Sequence, residues 1–80
     1  MVNSHLAEAK GLIAGCVNQP AAAVADDAAI GTLEGWDSIA HISIVLAIEA
    51  RVGRNLTSDE IIAVTGVASV ADILKQADGP

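Results

Sequence analysis

Residues 35–53, GWDSIAHISIVLAIEARVG, decide how this chain folds. A turn residue, Gly35, and an acid, Asp37, precede a run in which Ile39, Ile42, Ile44, Val45, Leu46, Ile48 and Val52 recur at helical spacing as far as Gly53. Ser and Asp side chains accept hydrogen bonds from the free N–H groups of a first helical turn. Ser38 is therefore expected to cap the longest helix of the chain, and the question it raises is whether its hydroxyl does more.

Projected at 100° per residue, those aliphatic positions cover an arc of about 220°, against the roughly 100° that a surface helix needs to bury on one core. Ile44, Val45, Ile48 and Val52 form its centre and are assigned to the interior. Ile39, Ile42 and Leu46 form one edge, flanked by the small or polar Ala40, Ser43, Ala47 and Ala50. Such an edge either docks another protein or is covered by the preceding loop or a later helix, and periodicity alone does not choose between them. His41 projects into the core arc, where a histidine is more often a hydrogen-bonded structural residue than a ligand or base.

On the N-terminal side, Leu6, Ala9, Leu12, Ile13, Cys16 and Val17 predict a first helix over Ser4 to Val17. Gly11 and Gly15 each weaken it by up to about 1 kcal/mol relative to Ala, so it depends on packing. Cys16 lies on the buried stripe without a basic neighbour to activate it, which makes it a core thiol. Asn18-Gln19-Pro20 stops the helix, because the residue before a proline is pushed out of the helical region. Ala21 to Gly35 is long for a loop, and Val24, Ile30 and Leu33 are expected to pin it to the core, with a helical turn at Ala21-Ala22-Ala23. Asp26, Asp27 and Glu34 are spaced as a solvated acidic face rather than a metal site.

On the C-terminal side, Gly53-Arg54-Asn55 ends the long helix. Thr57 and Glu60 have capping-box spacing and open a short helical segment, Ile61 to Val64, which Thr65-Gly66 stops. Val67 should plug the core from a tight connection. Ser69 and Asp72 repeat the capping pattern before Val70, Ile73, Leu74 and Ala77, whose helix ends at Asp78-Gly79-Pro80. The expectation is one all-α domain over residues 1–80: a small four-helix bundle of three main helices and one short one, with a long loop between the first two.

Composition bounds the rest. With one Trp, no Phe and no Tyr, the interior has to be built from Ile, Val, Leu and Ala. A chain this short buries only about 60–65% of the surface exposed by its unfolded form, so stability will be modest. One cysteine cannot form an internal disulfide, which fits a reducing compartment. A formal charge of −6 disfavours nucleic acid and anionic lipid as partners. No secretory pattern opens the chain and no apolar run approaches the roughly 20 residues that span a bilayer, so a cytoplasmic protein is expected. A hydrolase using Asp37, Ser38 and His41 is disfavoured, because adjacent residues at a helix start do not form the sequential hydrogen bonds of a triad. No catalytic residue and no metal ligand is assigned.

Gly35-Trp36-Asp37-Ser38-Ile39 resembles the Asp-Ser-Leu motif of acyl carrier proteins, with Ile39 in place of the usual leucine. Leu33-Glu34-Gly35 matches the approach to that motif, and Ile44 to Glu49 matches the apolar run and glutamate of the family's second helix. Leu56, Thr57 to Glu60, Val67 and Asp72-Ile73-Leu74 keep the spacing of the later helices, without gaps from Trp36 to Leu74. The resemblance implies that Ser38 is esterified to 4'-phosphopantetheine donated by coenzyme A, whose terminal thiol carries acyl or aminoacyl groups as thioesters. It implies that Asp37 assists the phosphopantetheinyl transferase. It also implies a monomer whose other partners are loading, condensing or transferring enzymes.

The chain departs from the fatty-acid carriers it resembles by having Ala40, Ser43 and Ala50 where they usually carry acids. Ile39, Ile42 and Leu46, with Leu56, are left as a mainly apolar docking surface, which points to a stand-alone carrier of a specialised pathway. The alternative is an unmodified helical adaptor that binds a partner through the same helix and uses Ser38 only as a cap.

Overall fold

The computed structural model describes residues 4–79 and contains helices α1 (Ser4–Val17), α2 (Ser38–Val52), α3 (Ser58–Ala63) and α4 (Val67–Asp78). This is the expected all-α bundle of three main helices and one short one. The stop residue Pro80 lies outside the described residues.

α1 ends by a local mechanism. Asn18 takes the left-handed conformation at φ 62°, which asparagine tolerates better than most residues, and Gln19 N–H reaches back to the Ala14 carbonyl at 3.1 Å. Gly11 and Gly15 are exposed, and a Cβ added at either meets nothing within 4 Å. They weaken the helix without serving close packing. Pro20 then leads into a single 3-10 turn, Ala21–Ala23.

The rest of the long loop is ordered by burial and by main-chain bonding. Val24, Ala28 and Trp36 are buried and Leu33 packs against the core. Ile30, expected to be a further anchor, is instead 45% exposed. Its backbone explains why: Ile30 N–H donates to the Thr65 carbonyl at 2.8 Å and Val67 N–H to the Ala28 carbonyl at 2.9 Å. This antiparallel bridge holds the loop to the α3–α4 junction through its main chain, so the Ile30 side chain is not required as an anchor. The crossing is close enough to require Gly66, because a Cβ there would lie 2.9 Å from the Ala28 carbonyl oxygen.

α3 has the expected capping box, with Glu60 N–H donating to Thr57 Oγ1 at 3.1 Å and Thr57 N–H to Glu60 Oε1 at 2.9 Å. Val64 leaves the helix and is fully buried. α4 begins three residues earlier than its Ser69 signal suggests, at Val67 rather than Val70. Ser69 lies inside the first turn and reaches backward, its Oγ accepting from Thr65 and Gly66 N–H at 3.2 Å each. Val67 is consequently the first helical residue rather than part of the connection, and it is fully buried as expected.

The core lies where α1, α2 and α4 meet. Ile13 from α1, Ile44 and Ile48 from α2, and Val67, Val70 and Leu74 from α4 are fully buried, and Val24 from the long loop and Val64 from the α3–α4 connection are buried in the same cluster. Each such side chain contributes roughly 1.5–3 kcal/mol relative to exposure. Cys16 is half-buried beside this cluster, and burial pushes its thiol pKa up, which makes it a poor nucleophile. At one end of the bundle Arg51 bonds to Glu8 and to Asp78, which also meets His5 Nε2 at 2.7 Å. The paired carboxylates raise the Arg51 pKa further, and Arg51 and His5 hold the Asp78 carboxyl below its ordinary value.

Candidate functional site

The N-terminus of α2 is built by the loop that precedes it. Gly35 has φ 92°, a left-handed conformation that favours glycine, and a Cβ there would lie 2.6 Å from the Val17 carbonyl oxygen at the end of α1. The backbone therefore passes α1 in contact, inserts Trp36 into the core and turns outward at Asp37. Asp37 N–H bonds to the Gly35 carbonyl at 3.1 Å within this bend.

Asp37, rather than Ser38, is the cap of α2. Its extended backbone places the carboxylate over the first turn, where Oδ1 accepts from Ala40 N–H at 2.8 Å. Ser38 is the first helical residue. Its side chain is exposed, and among the described residues its hydroxyl makes no hydrogen bond. The negative cap also suits the positive end of the helix dipole.

His41 stands one turn further along, half-buried. Its Nδ1 accepts from Trp36 Nε1–H at 3.3 Å, and its Nε2 faces the Ile61 carbonyl of α3 at 3.2 Å. Both ring nitrogens have structural partners. Beside it lies an open, mainly apolar cleft of about 430 Å³, lined by Ile30, Ser38, His41, Ile42, Ile62, Val64 and Thr65. Ser38, at the start of α2, is one of the residues that line it.

The apolar edge of α2 is on the surface: Ile39, Ile42 and Leu46 are 75%, 60% and 59% exposed. Leu56 is not part of it. At 7% exposure it belongs to the core, held there by its own N–H donating to Glu49 Oε2 at 2.8 Å. That bond turns the α2 glutamate, which projects into the apolar arc, toward the α2–α3 connection. Of the positions where acids were missed, Ser43 and Ala50 are exposed but Ala40 is buried, and a carboxylate there would lack solvent.

Ile62 is a member of the surface that sequence reasoning overlooked, 74% exposed on α3 and facing the same cleft as Ile42. The capping box contained a usable signal, because it sets the helix start and hence places Ile61 and Ile62 on different faces. Trp36 as the hydrogen-bond partner of His41 had no such signal, since the pairing depends on how the loop enters the core. Among the described residues no group of three or more His, Cys, Asp or Glu is placed to hold a metal ion, and no helix is long and apolar enough to cross a membrane. Set against protein-family models, curated proteins and solved structures, the chain matches none.

Proposed function

We propose that this chain is a carrier protein, not an enzyme, whose Ser38 hydroxyl receives 4'-phosphopantetheine from coenzyme A and so carries acyl or aminoacyl groups as thioesters. The observation that carries the reading is the division of labour at the start of α2. Asp37 holds the cap, which leaves an exposed Ser38 hydroxyl without a structural bond at the N-terminus of the longest helix. That is where the carrier-protein resemblance puts the attachment point. A serine needed to hold the helix would resist esterification, whereas this one has no bond to give up.

In the transfer, the serine oxygen attacks the phosphorus nearest the pantetheine arm. The coenzyme A pyrophosphate bond breaks, adenosine bisphosphate leaves, and the serine proton goes to a base of the transferase. A phosphodiester on Ser38 would be held at the positive end of the α2 dipole, where the first-turn N–H groups that Asp37 does not occupy would favour an anion. The cleft beside Ser38 gives a short apolar cargo somewhere to rest between partners. Exposed Ile39, Ile42 and Leu46 provide a docking face for the transferase and for loading, condensing or transferring enzymes, all reached in the cytoplasm by a monomeric carrier.

Intact-mass measurement after incubation with coenzyme A, magnesium and a broad-specificity phosphopantetheinyl transferase tests the proposal. A gain of one phosphopantetheine that disappears in Ser38→Ala supports it. No gain, or a gain that survives in Ser38→Ala, refutes it and leaves the adaptor reading, which the exposed α2 edge also supports.

A further inference from the structure

The His41 imidazole stands where the loop, α2 and α3 meet. The indole nitrogen of Trp36 is a donor only, so His41 Nδ1, at 3.3 Å, has to accept and carries no proton. The Ile61 carbonyl is an acceptor only, so Nε2, at 3.2 Å, has to donate. The ring therefore holds one proton in one tautomer, with each nitrogen committed to a different segment. It stacks on the indole at 6.3 Å between centroids and 27° between planes, and it lines the cleft beside Ser38.

We infer that His41 is a proton-operated latch on this cleft: with one proton it ties Trp36 to α3, and with a second it releases Trp36 and loosens the loop beside Ser38. The second proton comes from solvent to Nδ1, the one ring nitrogen without a proton, when its bond to the indole opens. It turns that nitrogen into a donor facing the donor of Trp36, so the indole bond is lost while the Nε2–H bond to Ile61 survives. Because Trp36 is largely buried, its N–H then loses its partner within the fold, which favours a shift of the segment Gly35 to Asp37.

The surrounding charges do not compensate. The Asp37 carboxylate on the entering loop is committed to Ala40 N–H, Glu60 on α3 is paired with Arg54, and Glu34 and Asp59 are exposed. Among the described residues no carboxylate bonds to the ring. Histidine is the side chain whose charge ordinarily changes between pH 5 and 8. The latch belongs to the unmodified chain and does not rest on the carrier reading.

Nitrogen-15 NMR of the chain from pH 8 to pH 5 tests it, with Trp36 as the sole indole and His5 as the sole other imidazole. At pH 8 the expected result is a His41 ring protonated on Nε2 alone and a protected Trp36 Nε1–H. On acidification Nδ1 gains a proton, and protection of the indole relative to free indole falls at least about tenfold. The methyl signals of Ile42 and Ile62 should move in step. His41→Gln, which keeps a donor and an acceptor but does not titrate, should abolish the pH response, and His5→Gln should retain it. An Nδ1–H tautomer at pH 8, an indole signal insensitive to acid, or an unchanged response in His41→Gln overturns the inference. The tautomer measurement uses the unaltered chain, so the test does not depend on a variant folding.

Discussion

Replacing Asp37 and Ser38 by alanine, one at a time, separates holding the helix from carrying a group. Asp37→Ala removes the acceptor of Ala40 N–H, a bond of 2.8 Å at the first turn of the helix that supplies Ile44 and Ile48 to the core. Loss of a cap of this kind costs typically about 1 kcal/mol, within a range of roughly 0.5–2, and loss of its favourable charge at the helix start is included in that figure. At about 2.1 cal/mol/K per residue, a chain of this length unfolds with an entropy near 170 cal/mol/K, so the midpoint should fall by about 6 °C. Ser38→Ala removes an exposed hydroxyl with no bond in the fold, and alanine is the better helix former, so its midpoint should stay within about 3 °C of the parent. Differential scanning calorimetry at neutral pH measures both. Equal losses, or a larger loss for Ser38→Ala, would show that Ser38 is the cap and remove the argument for its freedom to be modified.

The exposed glycines of α1 predict the opposite sign: Gly11→Ala and Gly15→Ala should each stabilise by up to about 1 kcal/mol, since the added methyl meets nothing. A lower midpoint in thermal unfolding would mean that another surface lies against that face. Leu56→Ala should cost about 2–5 kcal/mol in urea unfolding, as for a core leucine, whereas Leu46→Ser should change stability by no more than about 0.5 kcal/mol. The reverse order would restore Leu56 to the docking surface. The Arg54 fork, followed by the Thr57 N–H, lowers the Glu60 carboxyl from 4.5 to about 2. A depressed carboxylate stabilises the fold above its unfolded value, and this contribution is lost as pH falls from about 4.5 toward 2. Glu60→Gln should therefore flatten the decline in thermal midpoint across that window, and an unchanged slope would show that the exposed pair contributes nothing.

Local chemistry made much of this bundle legible in the sequence. The limits of α1 followed from its periodicity and Asn18-Gln19-Pro20, and the capping box of α3 from the Thr57–Glu60 spacing. The helix itself runs over Ser58–Ala63 rather than Ile61 to Val64, because its first turn lies within the box. These signals act between residues a few positions apart, so they survive without knowledge of the fold. Ser69 shows their limit: its hydroxyl bonds backward to Thr65 and Gly66, and this moved the start of α4 to Val67. The surface was legible at Ile39, Ile42 and Leu46 because the apolar arc of α2 exceeds what one core covers.

The amino-acid sequence by itself determined an all-α chain with a serine at the head of an overly apolar helix, because helical periodicity and capping are short-range properties. Only the tertiary structure decided that Asp37 is the cap and Ser38 is free. That choice depends on how Gly35 brings the backbone past the Val17 carbonyl and which side chain is then aimed at Ala40 N–H. The tertiary structure likewise took Leu56 into the core, turned Ile30 and Ile62 toward the cleft, and joined Trp36 to His41 and α3. Each of these joins segments distant in the chain, where the deciding term is which apolar surface and which polar partner the packed helices leave within reach.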